Sequence, residues 1–149
     1  MDIATLIIAC APFVAPNTLM SIMQVESAAN PWAINVNNGH RFNKASNYVS
    51  AVNEAKRLIV KGANIDMGLM QINSKTMQGL GLTVDQVFDP CTNIYAGATV
   101  LFRNYVNASK NIRDDQAALQ AAISAYNTGN FKSGFKNGYV RKIIKKANS

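Results

Sequence analysis

The feature that most constrains the fold is a series of helix start and stop signals with almost no strand pattern between them. Pro16 stands where the first residue of a helix would fall, and apolar residues then recur at helical spacing until Asn30-Pro31. Asp114 is placed to cap the start of another helix, and Gly129 is placed to end it. Signals of this kind predict a chain that is mainly helical.

Four further helices carry comparable signals. They are expected over about residues 47–60, with Gly62 just past the end; after the capping-box pair Thr83 and Gln86; after Asp89-Pro90; and over residues 139–146. Strand alternation is not sustained, although residues 32–36 or 64–71 could hold a short extended piece. With 149 residues, 48% of them hydrophobic, the chain can bury a core of its own. We therefore predict one compact, mainly α domain over residues 1–149, with little or no β structure.

The longest apolar run, residues 3–14, is too short to span a membrane. It follows Asp2 instead of the basic residues that begin a secretion signal. We interpret the run as a buried helix, with the remnant of a targeting segment as the alternative. The chain is therefore not expected to be an integral membrane protein, and no secretion signal is visible in it.

The net charge of +7 is concentrated at the C-terminal end, where no acidic residue follows Asp115. A polyanion is the partner that this charge favours, and nucleic acid, an anionic membrane surface and an acidic polysaccharide all fit. A solvated basic face that only keeps the protein soluble is the alternative.

Histidine and cysteine are too scarce for several kinds of site. His40 is the single histidine, and Cys10 and Cys91 are the two cysteines, so neither a catalytic triad nor a zinc site is expected. Spacing alone does not decide whether the two cysteines are buried thiols or form a disulfide.

The chain has two glutamates, and their sequence contexts differ. Glu26 lies among apolar residues of an expected helix, where desolvation would raise the pKa of its carboxyl and leave a proton to donate near neutral pH. A structural salt bridge at the end of that helix is the alternative. Glu54 has Arg57 three residues further on and is predicted to form an ordinary ion pair on a solvated surface. Glu26 is thus the candidate general acid and base.

Three other motifs combine glycine, amides and tyrosine. They are Gly68-Leu69-Met70-Gln71-Ile72-Asn73, Ala125-Tyr126-Asn127 and Gly138-Tyr139. Amide side chains both donate and accept hydrogen bonds, which suits the hydroxyl and N-acetyl groups of a sugar. A tyrosine offers a flat apolar face and a hydroxyl to a pyranose ring. The alternative for each motif is structural, with the amides satisfying a buried turn and the tyrosines packed in the core.

The order of these motifs resembles that of the lysozyme-like lytic transglycosylases, and most closely the VirB1-type group associated with type IV secretion systems. The motifs that carry the resemblance are Glu26-Ser27 with Asn30-Pro31, then residues 68–73, then Ala125-Tyr126-Asn127, then Tyr139. Together they span nearly the whole chain. The longer stretch over residues 37–62 departs from shorter relatives.

The resemblance implies a lysozyme-like α+β fold with a substrate groove, and cleavage of the β-1,4 bond between N-acetylmuramic acid and N-acetylglucosamine in peptidoglycan. Glu26 would protonate the glycosidic oxygen and then accept a proton from the C6 hydroxyl, which closes a 1,6-anhydro ring. An internal hydroxyl has a high effective molarity, so one carboxyl suffices where ordinary glycosidases need two. The residues expected to bind and orient the sugar are Ser27, Met70, Gln71, Asn73, Tyr126, Asn127 and Tyr139.

The partners implied are the glycan strands of peptidoglycan and other components of a secretion system, in the periplasm, with no metal and no cofactor. There, a Cys10–Cys91 disulfide would tether the first helix to the start of the long one. Two other interpretations stay open: a muramidase that uses water, with Asp66 as its second carboxylate, and a non-catalytic peptidoglycan-binding assembly factor. A nucleic-acid-binding domain has little support, because the basic C-terminal segment lacks a recognition-helix motif and an aromatic array.

Overall fold

Helices make up most of the protein, and a small sheet lies among them. The computed structural model describes residues 1–149. The helices are α1 (Ile3–Cys10), α2 (Pro16–Ser27), α3 (Tyr48–Val60), α4 (Ser74–Gly79), α5 (Val84–Val87), α6 (Pro90–Ser109), α7 (Asp115–Thr128), α8 (Ser133–Lys136) and α9 (Tyr139–Ala147). The strands β1 (Ile34–Val36), β2 (Ile65–Met67) and β3 (Ile72–Asn73) pair antiparallel in the order β1-β2-β3. The predicted fold class, mainly α with little β structure, is confirmed.

The helices begin where the capping residues stand. The Asp114 carboxylate accepts a hydrogen bond from the backbone N–H of Ala117, and the Asp89 carboxylate accepts one from Thr92. Thr83 and Gln86 form both bonds of the predicted capping box at the start of α5. Each cap satisfies amide groups that have no partner inside the helix, which explains why these starts were predictable.

The end of α3 is also where its glycine predicted it. Gly62 has a φ of +84°, its N–H bonds to the carbonyl of Ile59, and the N–H of Ala63 bonds back to the carbonyl of Leu58. This is the Schellman arrangement, in which a residue in the left-handed region lets the chain turn away while the last carbonyls keep partners.

Three short elements lie in segments for which the sequence predicted no helix or strand. They are β3, α4 and α8. Elements of two to six residues are too short for hydrophobic periodicity to show. Helix α2 also ends at Ser27, three residues before Asn30-Pro31, because Ala28 and Ala29 both adopt left-handed backbone conformations with φ of 52° and 58°.

The core joins the helices to the sheet. Helix α6 packs along α7, and α2 packs on α9. Buried apolar side chains from α2, from the sheet and from α6 meet in one cluster, among them Leu19, Ile22, Met23, Ile65, Met67, Ile72, Ile94 and Leu101. This packing brings the C-terminal end of α2, the turn between β2 and β3, and the start of α9 together.

Helix α1 is more exposed than predicted. Only Ile7 within it is buried, whereas Ile8 is 59% exposed. The expectation of a buried helix over residues 3–14 is therefore wrong, because this helix is apolar on every side while neighbours cover only one of its faces. A disulfide joins Cys10 to Cys91 and ties the end of α1 to the first turn of α6, which decides between the two alternatives for the cysteines.

None of the helices combines the length and the hydrophobicity needed to cross a membrane.

Candidate active site

The turn between β2 and β3 is held in place by one buried amide. Asn93, on α6, is 1% exposed; its Nδ2 donates to the carbonyls of Met67 and Val87, and its Oδ1 accepts the N–H of Met70. Gly68 has a φ of +76°, and a Cβ atom there would lie 2.3 Å from Asn93 Nδ2. A side chain at position 68 would therefore be excluded both by the backbone conformation and by the amide that fixes the turn.

Glu26 lies in the last turn of α2 and faces Tyr139, the first residue of α9. The Tyr139 hydroxyl donates a hydrogen bond of 2.5 Å to Glu26 Oε2. No basic side chain lies within salt-bridge distance of the carboxyl, since the ion pairs of the protein are Lys56–Asp85 and Arg57–Glu54. The structural salt bridge considered for Glu26 is therefore absent, and one carboxyl oxygen is fixed by a neutral donor.

The surroundings of Glu26 favour its protonated form. Burial raises the pKa of the carboxyl above its ordinary value, the negative charge of Asp66 raises it further, and the hydrogen bond from Tyr139 opposes the rise. Burial also raises the pKa of the Tyr139 and Tyr126 hydroxyls, so both stay neutral donors. A carboxyl whose protonated form is favoured in this way keeps its proton to a higher pH than an exposed glutamate does, which suits a general acid and base.

Glu26 lines a polar cleft of about 370 Å³, a volume within the range usual for ligand sites. The other residues that line this cleft are Asn37, Asp66, Gln71, Ile72, Asn73, Thr76, Val100, Tyr126 and Asn127. Asp66 is held at both oxygens, by Asn73 Nδ2 at 2.8 Å and by Asn37 Nδ2 at 3.1 Å. The cleft therefore holds two carboxyl groups, Asp66 with both oxygens hydrogen-bonded and Glu26 with a raised pKa.

Four of the predicted sugar-binding residues line this cleft: Gln71, Asn73, Tyr126 and Asn127. Gln71 is nearly buried with a φ of +52°, and its amide bonds to the carbonyl of Gly68 and to Asn35. The Tyr126 hydroxyl donates to the carbonyl of Met70. These side chains are positioned by the protein itself before any ligand arrives.

Two other predicted residues have structural positions. Met70 is fully buried and packs against Gly97, so the structure corrects its predicted contact with the sugar: it is a core residue. The Ser27 hydroxyl donates to the carbonyl of Leu69 at 2.7 Å, which joins the end of α2 to the turn of the sheet. Ser27 thus holds Glu26 against the turn that carries Gln71.

Sequence reasoning missed Asn37, Thr76 and Val100 as cleft residues. Asn37 lies in a polar segment whose composition alone predicted a connection, and Val100 lies on α6, where an apolar residue predicts only packing. Their placement depends on long-range strand and helix packing that no local pattern announces.

The prediction that Glu54 lies on a solvated surface is wrong. Its ion pair with Arg57 is confirmed, with the Glu54 oxygens 2.7 Å from Arg57 Nε and Nη2, but Glu54 is 8% exposed and so is not on a solvated surface. Its oxygen Oε2 also accepts the backbone N–H of Asn43 at 2.6 Å. The paired guanidinium holds the pKa of this carboxyl below its ordinary value.

The family profile of the transglycosylase SLT domain matches residues 6–148 of the chain. The chain belongs to this family. The resemblance inferred from the motifs is thereby confirmed, and Glu26 lies in the cleft of an SLT domain. No solved structure gives a significant match to the chain.

Curated proteins similar to this SLT domain carry the name virB1. The chain is 42% identical over 134 residues to "Protein virB1" of Agrobacterium fabrum, and the aligned region covers 90% of this chain and 54% of that protein. It is 40% identical over 144 residues to "Type IV secretion system protein virB1" of Brucella abortus, covering 93% of this chain and 60% of that protein. The chain thus spans a little over half the length of the curated relatives it matches.

Proposed function

We propose that this SLT domain is a peptidoglycan lytic transglycosylase. It cleaves the β-1,4 bond between N-acetylmuramic acid and N-acetylglucosamine and leaves a 1,6-anhydro-muramoyl end. The observation that carries the proposal is Glu26: a carboxyl whose pKa is raised by burial, oriented by Tyr139, without a cation and open to a polar cleft.

The reaction needs one carboxyl acting twice. Glu26 donates its proton to the glycosidic oxygen as the bond to the anomeric carbon breaks, and the oxocarbenium-like centre develops on the muramoyl ring. The C6 hydroxyl of the same ring attacks that carbon, and its proton passes to the Glu26 carboxylate. The acid is thereby restored and no water is consumed. The high effective molarity of an internal hydroxyl replaces the second carboxylate.

The other polar residues of the site orient the sugar. Tyr139 holds one oxygen of Glu26, which leaves the other to face the glycosidic oxygen. Gln71, Asn73, Tyr126 and Asn127 line the cleft and position the N-acetyl group, whose carbonyl supports the developing positive charge. Ser27 contributes through the placement of Glu26 against the turn.

A hydrolytic muramidase is the second candidate, and Asp66 is the observation that favours it. Asp66 lines the cleft with Glu26, and its charge contributes to the raised pKa of that carboxyl. In this mechanism Asp66 serves as the second carboxylate and water is the final acceptor. In the transglycosylase mechanism Asp66 acts only through its field on Glu26 and on the positive transition state.

Mass spectrometry of the products from intact sacculi separates the two candidates. A transglycosylase releases fragments ending in anhydro-muramic acid, whereas a muramidase releases reducing ends. Glu26→Gln, tested beside the wild-type protein, is expected to release neither. Reducing ends without any anhydro product would replace the first proposal with the second, and unchanged release by Glu26→Gln would remove Glu26 from the mechanism.

We further propose that the domain works in the periplasm and opens the cell wall locally during assembly of a secretion system. Support comes from the similarity to the protein of Brucella abortus whose name places it in a type IV secretion system. The exposed cations of α9 also fit an anionic wall, since Arg141, Lys142, Lys145 and Lys146 have no ion-pair partners.

Genetic complementation in the parent bacterium tests this setting. The wild-type gene is expected to support substrate transfer through the secretion system, and a Glu26→Gln gene is expected to support much less. Equal transfer by the two genes would contradict the proposed role in assembly.

A further inference from the structure

A second concavity also reaches Glu26. It has a volume of about 610 Å³ and is lined by Gln24, Val25, Glu26, Ser27, Ala28, Ala33, Ile34, Asn35, Phe42 and Lys44. Of these, only Glu26 also lines the polar cleft. The proposed general acid therefore borders two different depressions of the surface, and the second has an exposed phenylalanine at its wall.

That aromatic side chain is Phe42, which lies in a segment without helix or strand. It is 42% exposed and is not among the residues that pack against the core. The apolar face of such a ring can be covered by a ligand, which removes apolar area from water. The ring of Phe42 is thus available to a ligand that lies in this concavity.

The backbone on both sides of Phe42 is fixed by the ion pair between the buried Glu54 and the partly exposed Arg57. The N–H of Asn43 donates to Glu54 Oε2 at 2.6 Å, and Arg57 Nη2 donates to the carbonyl of Arg41 at 3.3 Å. Arg57 also holds Glu54 through two bonds of 2.7 Å. The pair therefore anchors the two residues that flank Phe42 to helix α3, although the segment forms no regular element itself.

We propose that Phe42 is a stacking platform for a sugar ring of the glycan strand and that Arg57 and Glu54 are its positioning residues. The inference rests on the proposed function. A bond inside a strand has a sugar on each side, so the acid that cleaves it stands between two sugar sites. The C–H face of a pyranose is apolar and covers a phenyl ring without requiring a hydrogen bond. The segment around Phe42 thereby gains a role in substrate binding.

Affinity for purified glycan strands freed of their peptides tests the platform. All variants are compared in a Glu26→Gln background, so that Kd is measured without turnover. Phe42→Ala is expected to weaken binding about tenfold, and Phe42→Trp is expected to preserve it. Phe102→Ala is the matched control, because Phe102 is 44% exposed and lines neither concavity. Equal affinity of Phe42→Ala and the background protein would overturn the proposal.

The failure of the platform and the failure of the proposed function give different results. Strands left uncut by the wild-type protein would contradict the transglycosylase proposal, while the Kd comparison would still report on Phe42. Strands cut by Phe42→Ala with an unchanged KM would exclude the platform and leave the transglycosylase proposal standing. A raised KM with an unchanged kcat is the expected result, because Phe42 does not touch the reacting atoms.

A double-mutant cycle tests the positioning role. Arg57→Leu is expected to weaken strand binding on its own and to add nothing in a Phe42→Ala protein, because both changes remove the same contact. Lys56 lies beside Arg57 on α3 and forms an exposed ion pair with Asp85 of α5, and Lys56→Ala is expected to leave Kd unchanged. Fully additive effects of Arg57→Leu and Phe42→Ala would exclude positioning through Phe42. Since Arg57→Leu leaves Glu54 unpaired, its thermal midpoint is measured in parallel, and Phe42→Ala tests the platform whether or not that variant folds.

Discussion

The two glutamates of the protein have opposite electrostatic environments. Glu26 is bonded by a neutral hydroxyl, has no cation beside it and feels the charge of Asp66, and the pKa of its carboxyl is raised. Glu54 is bonded by a guanidinium and by a backbone N–H, and the pKa of its carboxyl is lowered. Low solvent exposure alone therefore does not create a general acid. Burial without a cation raises the pKa of Glu26, whereas the guanidinium of Arg57 lowers the pKa of Glu54.

Removal of the reactive carboxyl is expected to have the largest effect. Glu26→Gln keeps the shape and the hydrogen bond from Tyr139 but has no proton to donate, so kcat on glycan strands should fall roughly 10³-fold. Thermal unfolding of the same sample shows whether the fold is intact. If Glu26→Gln retains a large part of the wild-type rate, Glu26 is not the general acid, and the proposed functional difference between Glu26 and Glu54 is wrong.

Removal of the structural carboxylate is expected to act on stability. Glu54→Gln replaces a charged acceptor of Arg57 and Asn43 with a neutral one, and its thermal midpoint should fall by a few degrees at neutral pH. Glu26→Gln should not lower the midpoint, because it removes a carboxyl that is costly to ionise when buried. Both midpoints can be measured by circular dichroism, and a larger loss for Glu26→Gln than for Glu54→Gln would reverse the assignment.

The pH dependence of stability should have opposite signs at the two sites. The folded protein binds the Glu26 proton more tightly than the unfolded chain, so this group stabilises the fold at low pH and loses that contribution as pH rises through its raised pKa. Glu54 stabilises the fold above its unfolded pKa and loses its contribution as pH falls through its lowered pKa. Midpoints measured across pH should therefore show Glu26→Gln gaining on the wild type toward alkaline pH and Glu54→Gln gaining toward acid pH. Parallel curves for both variants and the wild type would show that neither pKa is shifted.

The smallest expected effects concern the neighbours of Glu26. Activity should fall as pH rises through the pKa of this carboxyl, because the acid must be protonated. Tyr139→Phe removes the bond that lowers this pKa and should move the alkaline limb of kcat/KM to higher pH. Asp66→Asn removes a charge that raises it and should move the limb to lower pH. Shifts in the same direction for both variants would contradict the electrostatic account, and complete loss of activity in Asp66→Asn would favour the muramidase.

The sequence predicted the elements whose cause is local. Asp114, Asp89 and Gly62 mark helix ends by bonding to groups a few residues away, and these ends lie where they were expected. Strand β3 forms by pairing with β2 and helix α4 packs against both strands, contacts that hydrophobic periodicity in a short window does not show. The exposure of Ile8 was missed for a related reason, since hydrophobicity reports the tendency to be buried and not the presence of a neighbour.

The candidate site was predictable where its chemistry is carried by a motif. Glu26, Gln71, Tyr126 and Asn127 line one cleft as the resemblance implied. Met70 belongs to the same motif but packs inward against Gly97 of α6, a long-range contact that the motif does not show. The surroundings of Glu54 were misjudged, because its partner Arg57 was visible three residues away whereas the backbone of Asn43 was not.

Gly68 and Asn93 have a consequence for how such a domain can evolve. The amide of Asn93 occupies the space that a methyl group at position 68 would take, and the same amide bonds to the carbonyl of Met67, one residue earlier. A smaller residue at position 93 would make room for a side chain at position 68, but it would leave the turn unsupported. We therefore expect glycine at position 68 and asparagine at position 93 to be kept together in related domains. Replacing either residue, or both at once, would disrupt the turn.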